Sequence, residues 1–307
     1  TQKFLPFNHS VIFLTDNLLP IIIALSILNL YRKAGYRMNR KVAFFDIDGT
    51  LTSEIDGSVP ANAKEAIQRA RANGHLMFIN TGRCMQNVEE RFREVGFDGY
   101  ICGCGTNIYC TENGKLTEAL YVEQPHKVVT EILHHARNFS LDLLFESKKE
   151  VRFDTKRPLI TAGGIRQYHS FANRNYDMSH DPESEDFTCD KFVIWFDNIH
   201  DLPEFRKVSD QYFSCIDRGG NFREFVPHGY SKATGIQFIL DRYGLSLDDA
   251  YALGDSNNDL PMLTYVKHSI AMGNSYPESL FQKVSYVTAK SSENGIYQAL
   301  EHFGFYA

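Results

Sequence analysis

Asp46 and Asp48 sit two positions apart in Asp46-Ile47-Asp48-Gly49-Thr50, directly after the apolar run Val42 to Phe45. Carboxylates at i and i+2 can converge where a chain leaves a buried strand, and ligands gather at the carboxyl ends of parallel strands. Gly49 permits a tight exit, and the amides after it can face an anion. An ordinary acidic turn is the alternative. A second segment, Asn80-Thr81-Gly82-Arg83, also follows an apolar run. The Thr81 hydroxyl and the amides that follow, from Gly82 onward, can hold a phosphate oxygen or simply cap a helix. Lys232 follows Gly229-Tyr230-Ser231 at a helix start. It can offset charge on a phosphate, or be a solvated surface lysine. The fourth segment, Gly254-Asp255-Ser256-Asn257-Asn258-Asp259, adds two carboxylates at another strand end. An Asx-rich helix cap explains one of them but not the set. Gathering Asp46, Asp48, Asp255 and Asp259 without a cation would be prohibitive. Hard oxygen ligands with open positions suit Mg²⁺, which keeps waters and accepts phosphate oxygens.

Together these segments resemble the haloacid dehalogenase superfamily of phosphatases. Their spacing resembles the Cof-like branch, with a large class IIB cap between the second and third motifs. The resemblance spans about residues 40–302 and is most specific at Asp46–Leu51 and Leu253–Leu263. Asp48 to Thr81 is too short to hold a cap domain, whereas Thr81 to Lys232 leaves ample room. That argues against the phosphomutases of the superfamily, whose helical cap fills the first gap. The resemblance implies a Mg²⁺-dependent phosphomonoesterase working through an aspartyl-phosphate on a small phosphorylated metabolite. Sugar phosphates come first, then flavin mononucleotide and pyridoxal phosphate. It implies Asp46 as nucleophile and metal ligand, and Asp48 as acid, then base, lending its main-chain carbonyl to Mg²⁺. Thr81, Gly82 and Lys232 would bind the phosphoryl group, with Asn258 touching it. Asp255 would ligate Mg²⁺, and Asp259 would stand behind the metal or hold Lys232. An acid role asks for a raised Asp48 pKa; burial and neighbouring carboxylates push that way, while Mg²⁺ opposes. Many relatives have Asn-Gly-Ala after the third strand, where this chain has Cys104-Gly105-Thr106; that departure bears on contacts to the leaving group.

These residues need elements to position them. Short apolar runs at Val42–Phe45, His75–Asn80 and Gly99–Cys102 alternate with helical patterns at Ala61–Ala72 and Met85–Val95. The alternation resumes with helices at Lys232–Tyr243 and Asp259–Tyr265, strands at Ala250–Leu253, Ser269–Met272 and Val284–Thr288, and a last helix at Ile296–His302. This pattern predicts an α/β fold, a doubly wound and mostly parallel sheet with helices on both faces. Between the two stretches the texture is α+β, with a hairpin turn at Asn113-Gly114, strands within Leu143–Phe153 and at Lys191–Phe196, a helix at Phe205–Phe213 and a strand at Phe222–Val226. Residues 154–190 are polar with weak periodicity. The expected organisation is a core from 38–120 and 223–307 with an inserted α+β cap at 121–222.

The 307 residues are 43% hydrophobic and 23% charged with a net charge of -6, a globular composition without the basic footprint of a nucleic-acid binder. Six cysteines without a Cys-x-x-Cys pair read as reduced thiols of a cytoplasmic protein. Residues 1–37 do not fit the rest and are expected to lie outside the domain, with Met38 reading like a protein start. The apolar run Leu18–Leu30 is short of the roughly 20 residues a membrane helix needs, so no membrane association is expected. Two other classes compete: a receiver-like phospho-signalling module and a catalytically inactive binding protein of the same fold. A receiver needs neither an acid two residues after its nucleophile nor a large inserted block.

Overall fold

The computed structural model describes residues 40–306; the expectations for residues 1–37, Leu18–Leu30 and Met38 lie outside the described residues. In chain order the elements are β1 (Val42–Phe45), α1 (Ala61–Ala72), β2 (Leu76–Asn80), α2 (Glu90–Arg93), β3 (Gly99–Cys102), β4 (Asn107–Glu112) and β5 (Lys115–Tyr121). There follow α3 (His126–Ala136), β6 (Leu141–Glu146), β7 (Val151–Phe153), α4 (Ala162–Asn173), β8 (Lys191–Phe196), α5 (Asp201–Ser209), β9 (Phe213–Asp217) and β10 (Phe222–Pro227). The chain closes with α6 (Lys232–Tyr243), β11 (Ala250–Ser256), α7 (Leu260–Leu263), β12 (His268–Tyr276), β13 (Tyr286–Val287) and α8 (Gly295–His302).

Among the described residues, thirteen strands form two sheets. The larger has eight strands in the order β13-β12-β11-β1-β2-β3-β4-β5. Pairing is parallel from β13 to β3 and antiparallel at β3-β4 and β4-β5. Strand alternation divides its side chains between two cores. Ala43, Phe45, Met77, Ile79 and Leu253 face α1 and α8. Val42, Phe44, Phe78 and Ala252 face α6 and α7. Strand order reverses between β1 and β11, so the carboxyl ends of these two strands border the crevice where doubly wound sheets bind ligands.

The smaller sheet is antiparallel, ordered β7-β6-β8-β10-β9. One face carries Leu143, Phe145, Phe192, Ile194 and Phe225 against α3 and α5. On the other face α4 covers Leu144 and Val193 through Phe171. Phe222–Pro227 is a strand of this sheet, whereas the sequence reading returned the chain to the large sheet at residue 223.

Three other elements differ from expectation. The helix foreseen over Met85–Val95 breaks at Val88 and Glu89, which are extended, and the Asn87 carbonyl accepts from Arg83 Nη1 at 3.1 Å instead of continuing a helix. Residues 154–190 contain α4, capped by the Thr161 side chain; its adjacent Gly163 and Gly164 lower helix propensity and hide it. Phe213 opens β9 rather than ending a helix, because Phe205 and Phe213 mimic a helical period across two elements.

Phe192 is fully buried and stacks on Phe225 with ring centroids 4.5 Å apart, edge-on to Phe213 at 4.8 Å. Phe192→Ala is expected to destabilise the smaller sheet by about 3–5 kcal/mol, measured by urea unfolding.

Candidate active site

The Asp46 N–H donates to the Leu253 carbonyl at 3.1 Å, which extends the β1–β11 pairing by one residue and fixes the carboxylate at the sheet edge. The chain then turns through Gly49 at φ +76°. A Cβ there would lie 2.3 Å from Asp255 Oδ2, so the turn needs glycine for both space and backbone. Asn274 braces this turn: its Nδ2 donates to the Gly49 carbonyl at 2.7 Å, and its Oδ1 accepts from the Ser291 N–H at 2.9 Å.

Lys232 opens α6, behind a capping box between Ser231 and Thr234. The helix dipole disfavours a cation at this end. Its partners explain its position. The Lys232 ammonium is 1% exposed and donates to Asp46 Oδ1 and Asp259 Oδ1, each at 2.6 Å. Burial opposes the charge, but Asp259 and Asp46 outweigh it and hold the lysine pKa above its ordinary value. Asn80 Nδ2 donates to the Lys232 carbonyl at 2.9 Å and anchors the helix start to β2. Asp259 also accepts, through Oδ2, from the N–H groups of Asp255 at 3.0 Å and Ser256 at 3.1 Å. Both its oxygens are thus engaged.

Asp46, Asp255 and Asp259 each bring an oxygen within 4.8 Å of the others. At an effective dielectric of about 20, two carboxylates at that separation repel by about 3 kcal/mol. Burial, then the Asp259 charge, pushes the Asp46 carboxyl up, with Lys232 pulling against them. Burial, then the Asp46 and Asp259 charges, pushes Asp255 up as well. Three carboxylates and one ammonium leave two negative charges. A divalent cation would balance them, and the oxygen-only donor set suits a hard one.

Asp46, Asp48, Thr81, Gly82 and Asn258 line one cavity of about 510 Å³ beneath the smaller sheet. Thr81 is buried, and its hydroxyl accepts from the Arg83 N–H at 3.1 Å. Asn258 is buried and accepts from the Ser256 hydroxyl. Asp48 faces solvent and is gripped by Arg83, with Nη2–Oδ1 at 2.6 Å and Nε–Oδ2 at 3.0 Å. The protein surrounding its cavity mouth pushes its pKa up even though the side chain itself is open, but Arg83 and the more distant Lys232 and Arg218 outweigh that and hold the carboxyl below its usual range. The raised Asp48 pKa expected from the sequence is therefore not found; Arg83, quoted with its motif but given no role, is the reason. Cys104 adopts a left-handed conformation at φ 55° and is buried. All six cysteines are free.

A model of the haloacid dehalogenase-like hydrolases matches residues 43–300. The chain belongs to this family. YkrA of Bacillus subtilis is 27% identical over 273 residues, covering 87% of this chain and 99% of that protein. The 5-amino-6-(5-phospho-D-ribitylamino)uracil phosphatase YitU of the same bacterium is 25% identical, covering 84% of this chain and 95% of YitU. The HAD subclass IIB sugar phosphatase BT4131 has the same fold, with a TM-score of 0.73, 24% identity, and coverage of 87% of this chain and all of that one. The protein is an enzyme, a haloacid dehalogenase-type phosphatase of the Cof-like branch. No helix among its described residues is long and apolar enough to cross a membrane.

Sequence reasoning quoted Asn80 with its motif but gave it no role, and missed Asn274; both are neutral side chains that act on backbone groups of residues remote in sequence. It also missed the cavity's roof, where Glu146, Lys191, Arg218 and Glu224 come from the smaller sheet and the turn after β9. The visible signal was a charged residue abutting a phenylalanine, as at Lys191-Phe192 and Glu224-Phe225.

Two outcomes follow. Gly49→Ala must displace Asp255, and a misplacement of that size costs about 10²-fold in turnover, read as phosphate release. Glu224 is 3% exposed; burial raises its pKa, but Lys191 and Arg218 outweigh this and bring it from 4.5 to about 2. Because the folded pKa is depressed, Glu224 contributes stability above pH 4.5 that is lost as pH falls toward about 2. Urea unfolding of wild type and Glu224→Gln should show a gap at pH 7 that narrows at pH 3.

Proposed function

We propose that the phosphatase is Mg²⁺-dependent and cleaves small phosphorylated metabolites, sugar phosphates first, through a phosphorylated Asp46. The observation carrying this reading is the convergence of Asp46, Lys232, Asp255 and Asp259 at the carboxyl ends of β1 and β11. YitU removes phosphate from a ribityl chain by its name, and BT4131 is named a sugar phosphatase; both support a small soluble substrate. In this reading residues 121–227 are the cap over a core built from residues 40–120 and 228–306.

In this mechanism an Asp46 oxygen attacks phosphorus and the bond to the leaving oxygen breaks. Asp48 gives its proton to that oxygen. The resulting Asp48 carboxylate then takes a proton from water, whose oxygen attacks phosphorus and breaks the Asp46–phosphorus bond, releasing inorganic phosphate. Thr81, the Gly82 amide, Lys232 and Asn258 bind the phosphoryl oxygens. Asp259 keeps Lys232 aimed. Asp46, Asp255 and the Asp48 main-chain carbonyl would hold Mg²⁺, which supplies charge neutralisation between a carboxylate nucleophile and an anionic ester. Asp48 must leave Arg83 to act as an acid; a leaving group seated between them separates the pair.

General acid–base help supplies only about 10²–10⁴. Asp48→Asn is therefore expected to slow turnover within that range, whereas Asp46→Asn removes it. Both are read as phosphate release from a metabolite panel with Mg²⁺ and with a chelator. Wild-type turnover by Asp46→Asn would defeat the mechanism. Undiminished turnover after chelation would defeat the metal requirement. A receiver-like module or an inactive binding protein would show no turnover in any arm.

A further inference from the structure

Asp190 is a fully buried carboxyl outside the acidic cluster, and neither of its oxygens is in hydrogen-bonding geometry with a partner. Buried polar groups are nearly always paired, and an unpaired buried charge is the costliest exception. Asp142, similarly buried, shows the usual solution: its carboxylate accepts from the Ile160 and Thr161 N–H groups and from the Thr161 hydroxyl. Asp190 stands just before β8, where the smaller sheet meets the larger. From the larger sheet come Tyr121 at the end of β5 and Cys102 at the end of β3, and a Cβ on Gly103 would lie 3.8 Å from Asp190 Oδ2. Cys84 reaches it from the loop after β2. The chain leaving the larger sheet supplies Glu123, and the next residue, Gln124, donates its N–H to the Cys189 carbonyl at 2.7 Å. The smaller sheet adds Glu146, Cys189 and Lys191.

None of these groups neutralises Asp190. Lys191 is already committed to Glu146 and to Glu224, the latter at 2.8 Å. Burial holds the three thiols protonated, and the Tyr121 hydroxyl only eases the charge. Burial pushes the Asp190 carboxyl up from 3.8 to about 7; Tyr121 and Lys191 pull it down, while Glu146 and Glu123 push with burial. Where the sheets part and water enters, the carboxyl returns toward its ordinary value. We propose that Asp190 is a proton-operated latch between the two sheets: protonated, it lets the smaller sheet seat on the larger, and ionised, it draws water into the junction and parts them. Because the seated pKa is raised, the latch contributes fully below about 3.8 and is lost as pH rises through about 7. Glu146 and Lys191, which line the cavity with Asp46, move with the junction, so the cavity opens as the latch releases. The inference goes beyond the phosphatase reading and does not rest on it, since it concerns how the smaller sheet is seated, whatever is cleaved.

The test is amide hydrogen exchange of the full chain, followed by NMR at pH 5, 7 and 8. The Gln124 amide reports the junction, and the Phe44 amide in β1 reports the larger sheet. In wild type the Gln124 protection factor is expected to fall at least about 10-fold from pH 5 to pH 7, with Phe44 unchanged. Asp190→Asn, a neutral mimic of the protonated acid, should hold Gln124 protection within about threefold across the range. Tyr121→Phe removes the hydroxyl that pulls the carboxyl down, so its fall between pH 5 and pH 8 should be steeper than that of wild type; this variant decides the matter if Asp190→Asn does not fold. Flat Gln124 protection in wild type overturns the proposal. So does a wild-type fall retained by Asp190→Asn, an equal fall at Phe44, or a Tyr121→Phe profile parallel to wild type. The readout involves no turnover, so failure of the phosphatase reading leaves it intact.

Discussion

The site depends on one buried contact, the Lys232 ammonium held between Asp46 and Asp259. Each partner would be untenable alone. A buried ammonium without carboxylates loses its proton, and buried carboxylates this close to Asp255 without an ammonium take one up. Joined, they stay charged where water cannot screen them, and the contact ties the start of α6 to the ends of β1 and β11. The Asn80 bond to the Lys232 carbonyl adds the end of β2. Four elements from distant parts of the chain are thereby set around one point, and the remaining excess of negative charge is what a divalent cation would answer.

The residues that converge at the site were legible in the sequence for the same physical reason. Aspartates directly after buried apolar runs conflict with burial, and the conflict is resolved only where charges meet their opposites. Asp46, Asp255, Asp259 and Lys232 come together, and the parallel alternation of the core is as its apolar periodicity foretold. Asn274 and Asn80 gave no such signal, since an amide bracing a remote backbone looks like any other polar residue. Arg83 stood in a quoted motif, but its hold on Asp48 arises from tertiary approach across 35 positions. Helix α4 was hidden by Gly163-Gly164. Both glycines are needed, because a Cβ on Gly163 would lie 2.2 Å from Trp195 Cδ1 and one on Gly164 would lie 2.4 Å from Asp142 Oδ2, so close packing rather than helix propensity set the residues.

The two sheets divide the work. The larger offers a rigid edge on which carboxylates are fixed by strand pairing, as with Asp46 and the Leu253 carbonyl. The smaller is built on a dense aromatic core around Phe192, and that rigidity lets charged side chains be presented on its cavity face without collapsing into each other's solvent. Asp48 lies at the boundary, exposed and paired with Arg83, so among the acidic residues of the site it is the one least committed to either sheet.

The pairing of Val42 with Ala250 at the centre of the larger sheet has a price during synthesis. Strand β1 gains β2 early, but its other edge stays open until β11 leaves the ribosome, roughly 200 residues later. At about 5–20 residues per second this lasts on the order of 10–40 s. Throughout that interval a wholly apolar strand, Val42–Phe45, offers an unsatisfied backbone edge to any neighbouring nascent chain. The smaller sheet, contiguous in sequence, can complete itself meanwhile, so the window of aggregation belongs to the sheet that carries the acidic cluster.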